Sequence, residues 1–348
     1  MVNQAAWIEG GASQPLIVKE APQPKPGPDE VLIKTAVIAI NPVDYKLQDA
    51  GIYTSNNPFI LGEDGAGIVE DVGANVAGLK KGDRVIAYAD GLRSKNPANS
   101  SFQLFFAAQA SLVSPVPAQL SLETAVVLPL ALSTAAAGLY DPTLLGLPLP
   151  SVDAAKIPVP AAGEKVKTAL VWGGSSSVGS AAIQLTRASG ARVISTASPQ
   201  NHTLVRALGA EAVYDYHSKT VVADLVQALQ DADLVGVYDA ISLDASTAAV
   251  AEILDGLGKT LPVANVLPTE RKTERYQPRF IHASDIATGE LAFIAEGVWK
   301  KYVPAALANG SLQAKPDANV VGHGLDKIQD AINVLRKGVS AQKVVVTL

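Results

Sequence analysis

The 348-residue chain predicts an α/β protein, a doubly wound parallel sheet joined to a second, mostly antiparallel β unit. Three observations carry this expectation. Short apolar runs alternate with helix-period segments from Lys167 to Ala264, which is the pattern of a parallel sheet with crossover helices. The first of those runs, Lys167 to Trp172, ends in the small-residue turn Gly173-Gly174-Ser175-Ser176-Ser177-Val178-Gly179 and passes straight into a helical pattern. Residues 1–129 instead carry strand-like runs broken by Gly and Pro.

The elements follow in order. Pro22, Pro24, Pro26 and Pro28 stiffen an extended lead-in, because each ring holds φ near the extended range. Val31 to Ile40 reads as an apolar strand, Val69 to Val85 as further short strands, and Gly82-Asp83 as a tight turn before the strand 84–87. Residues 121–140 turn helical, with Ser121 and Thr124 able to cap the start. A Pro-rich connector runs from Asp141 to Gly163. Then come strand 167–172, helix 178–189, strand 192–196, helix 201–208, strand 212–215, helix 221–230, strand 234–239, helix 245–254 and strand 259–264. Helical patterns recur around 289–308 and 326–336, and a last strand, 343–346, is expected to rejoin the sheet of the first unit. The division expected from this is 1–129 and 269–348 for the β-rich unit, with 130–268 for the doubly wound unit.

Composition narrows the function. A hydrophobic fraction of 48% excludes a disordered chain, and a net charge of −5 argues against a nucleic-acid partner. No unbroken apolar stretch of membrane-span length is read in the sequence, and the first residues lack the charged-then-apolar pattern of a secretory signal. A cytoplasmic location is the expectation. The absence of cysteine removes disulfides and thiolate metal ligands, and the four histidines, His202, His217, His282 and His323, form no short-spaced pair. No metal site is expected.

The turn at 173–179 is the chemically informative feature. Where the dinucleotide fingerprint reads G-x-G-x-x-G, this chain reads Gly174, Ser176 and Gly179. Serine at the middle position lets the backbone approach a phosphate and adds a hydroxyl donor. The free N–H groups at the start of the following helix then suit a pyrophosphate, so Gly174, Ser175, Ser176, Ser177, Val178 and Gly179 are candidate cofactor contacts. The competing reading is a Gly/Ser loop that joins two elements. Dinucleotide folds selective for NADH place an acid about 20 residues further on, to bind the ribose 2′-OH. Here Thr196-Ala197-Ser198-Pro199-Gln200-Asn201-His202 contains none. Ser198, Asn201 and His202 can donate hydrogen bonds, and Lys219 is a nearby charge, which together favour NADPH.

The chain as a whole resembles the medium-chain dehydrogenase/reductase superfamily. The resemblance rests on Gly62-Glu63-Asp64-Gly65-Ala66-Gly67-Ile68-Val69, Val72-Gly73, Gly82-Asp83-Arg84-Val85, the turn at 173–179 and Leu208-Gly209-Ala210. Asn41-Pro42-Val43-Asp44 and Gly51-Ile52-Tyr53 resemble its zinc-free quinone and enoyl reductase branch. Thr196-Ala197-Ser198-Pro199 and Val321-Gly322-His323-Gly324-Leu325 are similar to the fungal toxin-biosynthesis type, which includes stand-alone enoyl reductases that serve polyketide synthases. The resemblance implies a GroES-like β unit, a Rossmann unit and an active site in the cleft between them.

Departures from the zinc alcohol dehydrogenases shape the expected chemistry. Those enzymes place Cys where Asn41 stands and His where Glu63 stands, and their structural-zinc lobe carries four cysteines. Without a Lewis acid, charge on a carbonyl oxygen must be met by hydrogen bonds, which favours reduction of a double bond conjugated to that carbonyl. By resemblance, Tyr53 is the candidate donor, Thr134 lies near the nicotinamide, and Tyr216 flanks the adenosine phosphate. Asn41 is a donor to substrate or to the nicotinamide ribose, or else a turn former, and Asp44 is expected to cap the helix Tyr45 to Asp49. Tyr53 reads equally as a half-buried aromatic, and Thr134 as a helix residue bonded to its own backbone. Arg271, Lys272 and Arg275 form a small basic run, either solvated charge or a seat for a carrier's phosphopantetheine. The expected substrate is a carrier-bound or small-molecule enoyl compound, with a polyketide synthase as a possible partner and a monomer or homodimer as the assembly. The alternatives are a quinone or alkenal reductase acting on free molecules and an NADPH-binding protein without turnover.

Overall fold

The computed structural model describes residues 2–9, 14–51, 58–153 and 163–348. The chain divides into two compact units. One holds residues 1–130, 299–310 and 314–348; the other holds 131–298 and 311–313.

The first unit is built on β1 (Gln4–Ile8), β2 (Ile17–Glu20), β3 (Glu30–Ala39), β4 (Phe59–Ile60), β5 (Asp64–Val72), β6 (Arg84–Tyr88), β7 (Phe105–Gln109) and β8 (Val113–Pro115). Helix α1 (Pro42–Ala50) follows β3, the one-turn α2 (Gly91–Ser94) follows β6, and α3 (Leu122–Ala125) follows β8. Strand β3 supplies the spine. Its sequence EVLIKTAVIA buries Val31, Ile33, Ile38 and Ala39 and pairs antiparallel with both β5 and β7. A β-branched run of this kind suits a pleated surface packed on both sides.

The second unit begins with α4 (Pro129–Tyr140), the first two residues of which belong to the first unit. Its strands are β9 (Lys167–Trp172), β10 (Arg192–Thr196), β11 (Ala212–Tyr214), β12 (Asp233–Asp239), β13 (Val263–Asn265) and β14 (Pro278–Phe280). They form one parallel sheet in the order β11-β10-β9-β12-β13-β14. Helices α5 (Ser177–Ala188), α6 (His202–Ala207), α7 (Val221–Leu229) and α8 (Asp244–Leu257) make the crossovers. Leu170, Val237, Leu225, Val250 and Leu254 meet in the core between sheet and helices. After β14 the chain forms α9 (Ala292–Ala295), a π-helical stretch from Glu296 to Tyr302, and α10 (Val303–Asn309). Strand β15 (Asp317–His323), helix α11 (Ile328–Arg336) and strand β16 (Gln342–Thr347) return to the first unit, where β16 pairs with β3 as expected. That completes a seven-stranded sheet, antiparallel except for the β15–β16 pair.

Four expectations change. Residues 269–298 belong to the doubly wound unit, because β14 adds to its sheet at the β13 edge. The strand expected at 259–264 is only Val263–Asn265. Helix α8 runs on to Leu257 and stops at Gly258 in the left-handed conformation (φ 62°), and Pro262 has no N–H to donate to a ladder. Helix α6 starts at His202 after a 3-10 turn at 199–201. The stretch Leu122–Tyr140 is long and apolar enough to span a bilayer by composition, contrary to the sequence reading. Of that window 78% is buried inside the protein, so its apolarity serves core packing.

Candidate active site

In the second unit the turn after β9 is shaped by contacts that leave no room for larger residues. Gly173 has φ 81°, and a Cβ there would lie 2.5 Å from Ile241 Cγ1. A Cβ at Gly179 would lie 2.2 Å from the Gly173 carbonyl oxygen. The turn is tied to the neighbouring strand, since the Gly173 N–H donates to Thr196 Oγ1 at 3.0 Å and the Gly174 N–H to the Thr196 carbonyl at 2.8 Å. Ser176 caps α5, its Oγ accepting from the Gly179 N–H at 3.0 Å. The N–H groups of Ser175, Ser177 and Val178 find no acceptor among the described residues. Three open donors at the start of a twelve-residue helix fit the pyrophosphate of a dinucleotide.

The residues singled out beyond the turn gather beside it. Ser198 Oγ lies 3.0 Å from Tyr216 OH, and Asn201 Nδ2 donates to Ser175 Oγ at 3.4 Å. The His202 ring nitrogen Nε2 is 3.0 Å from the Ala197 carbonyl oxygen, so that edge of the imidazole is occupied by the backbone. Tyr216 is exposed and stacks on His217 with ring centroids 4.1 Å apart. Ser198 and Tyr216 thus meet hydroxyl to hydroxyl. Thr134 is buried in α4, and its carbonyl accepts from the Tyr238 hydroxyl at 2.6 Å.

Opposite the turn, Asp239 ends β12 fully buried. Its Oδ1 accepts from the N–H groups of Ile241 and Ser242 at 3.0 and 2.8 Å, and its Oδ2 from Ser246 Oγ at 2.8 Å. Burial raises its pKa, and the three donors oppose that rise. Asp239 thereby holds the segment that lays Ile241 against Gly173.

In the first unit Asn41 is the N-cap of α1, with its backbone N–H donating to Asp44 Oδ2 at 2.7 Å. Asp44 is not the cap expected of it but the third residue of a helix that starts at Pro42. The Asn41 amide is held on both sides. Its Nδ2 donates to Asp64 Oδ2 at 2.8 Å, and its Oδ1 accepts from Lys343 Nζ. Lys343 and Asp64 form an ion pair at 2.9 Å, and Asp64 Oδ1 also accepts from the Leu130 N–H at 2.6 Å, in the first turn of α4. Glu63, Asp44 and Asp90 are buried around this pair. Burial pushes the Asp44 carboxyl up to about 7 and holds Glu63 well above the usual carboxylate range, despite a hydrogen bond with Tyr88. Glu63 Oε1 has no hydrogen-bond partner. Burial raises Asp90 as well, against the attraction of Arg93.

The donor set does not match a zinc site. No group of three His, Cys, Asp or Glu side chains able to hold a metal occurs among the described residues, and an ammonium already occupies the Asn41 oxygen. Tyr53 lies outside the described residues. Sequence reasoning missed Asp239, Asp64 and Lys343. The one local signal was a lysine inside the apolar strand Lys343-Val344-Val345-Val346.

Comparison with known proteins agrees with this architecture. The family described as "Alcohol dehydrogenase GroES-like domain" matches residues 27–117, and "Zinc-binding dehydrogenase" matches 177–307. The chain is 40% identical over 349 residues to the trans-enoyl reductase himH of Aspergillus japonicus, covering 100% of this chain and 98% of that protein. It is 35% identical to the trans-enoyl reductase tndF of Aspergillus flavipes, over 96% of both. A mycobacterial protein solved in complex with NADPH shares the fold at 24% identity and a TM-score of 0.67, covering 99% of this chain and 100% of that one. A GroES-like unit, a Rossmann-type parallel sheet with its glycine turn, and full-length likeness to fungal reductases together place this chain in the medium-chain dehydrogenase/reductase superfamily, among oxidoreductases that use a nicotinamide cofactor.

Proposed function

We propose that the protein reduces the C=C bond of an α,β-unsaturated carbonyl with NADPH, and that its substrate is a polyketide-type enoyl thioester. The observation that carries the cofactor choice is the hydroxyl pair of Ser198 and Tyr216, 3.0 Å apart, together with a 196–202 loop that contains no acid. An NADH-selective site would set a carboxylate in that loop, where this chain offers Ser198 and Asn201 instead. The relation to trans-enoyl reductases supports the reaction class.

NADPH held at the glycine turn would supply the hydride for the β-carbon and leave as NADP⁺. The chain's own residues do the rest. The N–H groups of Ser175, Ser177 and Val178 bind the pyrophosphate, and Gly174 and Gly179, packed against Ser195 and the Gly173 carbonyl, hold the turn in shape. Thr134 orients the nicotinamide. Tyr53 donates a hydrogen bond to the carbonyl oxygen as negative charge builds there, and the α-carbon then takes a proton from solvent water. The Asn41 amide keeps one N–H beyond the bond to Asp64, available as a second donor. The reaction as proposed needs no metal.

The test is NADPH consumption against enoyl thioesters, enals, enones and quinones. Thioester turnover with poor use of quinones is the expected result. A preference for quinones would replace this reading with a quinone reductase, and tight NADPH binding without turnover on any acceptor would end it. Tyr53→Phe is expected to lower kcat by about 100-fold.

A further inference from the structure

A cavity of about 990 Å³ opens in the second unit where β12 and β13 end, bordered by Ser242, Asp244, Leu267, Glu270, Arg271 and Lys272. Carboxyl ends of strands in a doubly wound sheet are where ligands bind. The strand order places β12 and β13 on one side of β9 and β10 and β11 on the other. The cavity is therefore on the opposite side of β9 from Ser198 and Tyr216, which follow β10 and β11. It adjoins the phosphate turn, because Ser242 directly follows Ile241, the residue lying against Gly173.

The rim is built rather than loose. Asp239 fixes the Ser242 N–H, and Ser242 holds φ 52°, a left-handed value for a residue with a side chain. Arg271 is pinned twice. Its Nε donates to the buried Thr247 Oγ1 at 3.2 Å, and its backbone N–H donates to Thr269 Oγ1 at 3.1 Å. Neighbouring cations are neutralised, Arg275 by Asp255 and Glu274, and Arg279 by Asp141. Arg271 and Lys272 make no ion pair with the described residues. An arginine oriented by a buried hydroxyl, with both terminal nitrogens open and no carboxylate on them, is arranged for an anion. Asp244 and Glu270 border the same cavity, which disfavours a doubly charged phosphate monoester and leaves a singly charged phosphodiester as the better match.

We propose that Arg271 and Lys272 bind the phosphodiester of a pantetheine arm, so that this cavity selects thioesters carried on that arm over free enoyl compounds. This deepens the reading of the protein as an enoyl thioester reductase and rests on it. Two sources carry that arm on a singly charged phosphoryl group, a carrier protein through a phosphodiester and coenzyme A through a diphosphate.

The experiment compares one enoyl group carried on N-acetylcysteamine, on coenzyme A and on a phosphopantetheinylated carrier protein. The wild-type protein is set against Arg271→Ala/Lys272→Ala, and NADPH affinity is measured for both. The expected result is a fall of about tenfold or more in the preference for phosphate-bearing thioesters over N-acetylcysteamine, expressed in KM, with NADPH affinity unchanged. Loss on the carrier alone assigns the carrier as source, and loss on coenzyme A alone assigns coenzyme A. Arg271→Lys is expected to restore part of the preference. An equal loss on all three thioesters, a weaker grip on NADPH, or no loss at all would overturn the proposal. Binding of the phosphopantetheinylated carrier, against its unmodified form, to the NADPH-loaded protein supplies a readout independent of turnover. If no thioester is reduced but that binding depends on Arg271 and Lys272, the site stands and the enoyl reductase reading falls. If that binding is indifferent to the two residues as well, the site falls too.

Discussion

Lys343 and Asp64 are 279 positions apart in the chain and form an ion pair at 2.9 Å, with side chains only 4% and 0% exposed. The Asn41 amide bonds both partners, and the first turn of α4 hangs on the same carboxylate. One buried charge pair thus ties β16 to β5, to the start of α1 and to the helix that carries Thr134.

Removing one partner should be costly. Lys343→Met leaves Asp64 ionised and without its cation, at an expected loss of about 3–5 kcal/mol of stability. Urea unfolding measures it. The double variant Lys343→Met/Asp64→Asn should recover part of the loss, since no bare charge remains. A single-variant loss under about 1 kcal/mol would contradict the burial of this pair.

Stability should fall as pH rises through the weakly acidic range. Asp44 binds its proton up to about pH 7 in the folded protein, against 3.8 ordinarily. A raised carboxyl pKa gives stability that is complete below the unfolded value and is lost as pH rises through the folded one. The slope for one such group is at most about 1.4 kcal/mol per pH unit. Glu63 is shifted in the same direction. Urea midpoints at pH 5, 6, 7 and 8 should decline for the wild type and decline less for Asp44→Asn. Equal slopes would falsify the assignment.

The glycine turn should tolerate no methyl group at Gly179. The added Cβ would sit 2.2 Å from a backbone oxygen, so the turn must open and the donors on Ser177 and Val178 move. Gly179→Ala is expected to weaken NADPH binding by about tenfold or more, read by nucleotide fluorescence. Unchanged affinity would mean that the phosphates sit elsewhere.

Cofactor discrimination should depend on the Ser198–Tyr216 pair. Tyr216→Phe removes one hydroxyl from an exposed position, so the fold should be unaffected. NADPH affinity is expected to drop about three- to tenfold with NADH affinity unchanged. Parallel titrations with the two nucleotides decide it, and an equal effect on both would move the 2′-phosphate away from Tyr216.

The phosphate turn was legible from residue order because everything it needs is local. Trp172 ends an apolar run, Gly173 and Gly179 sit where the backbone must come close, and Ser176 caps the helix that starts beside it. Most of the strand and helix alternation was legible for the same reason, since periodicity is a property of neighbours. Strand β14 was not, because Pro278-Arg279-Phe280 has no strand pattern of its own and is ordered only by pairing with β13. The length of α8 was misjudged because its stop, Gly258, becomes a cap only once the helix reaches it.

Sequence by itself determined the two-unit α/β plan, the nucleotide turn and the absence of an acid at 196–202. Tertiary structure alone decided what surrounds Asn41. A lysine near the end of the chain, a carboxylate after Gly62-Glu63 and an amide at position 41 have no local reason to meet. They meet because β16 and β5 both pair with β3, and once water is excluded their charges and hydrogen bonds can be satisfied only by one another.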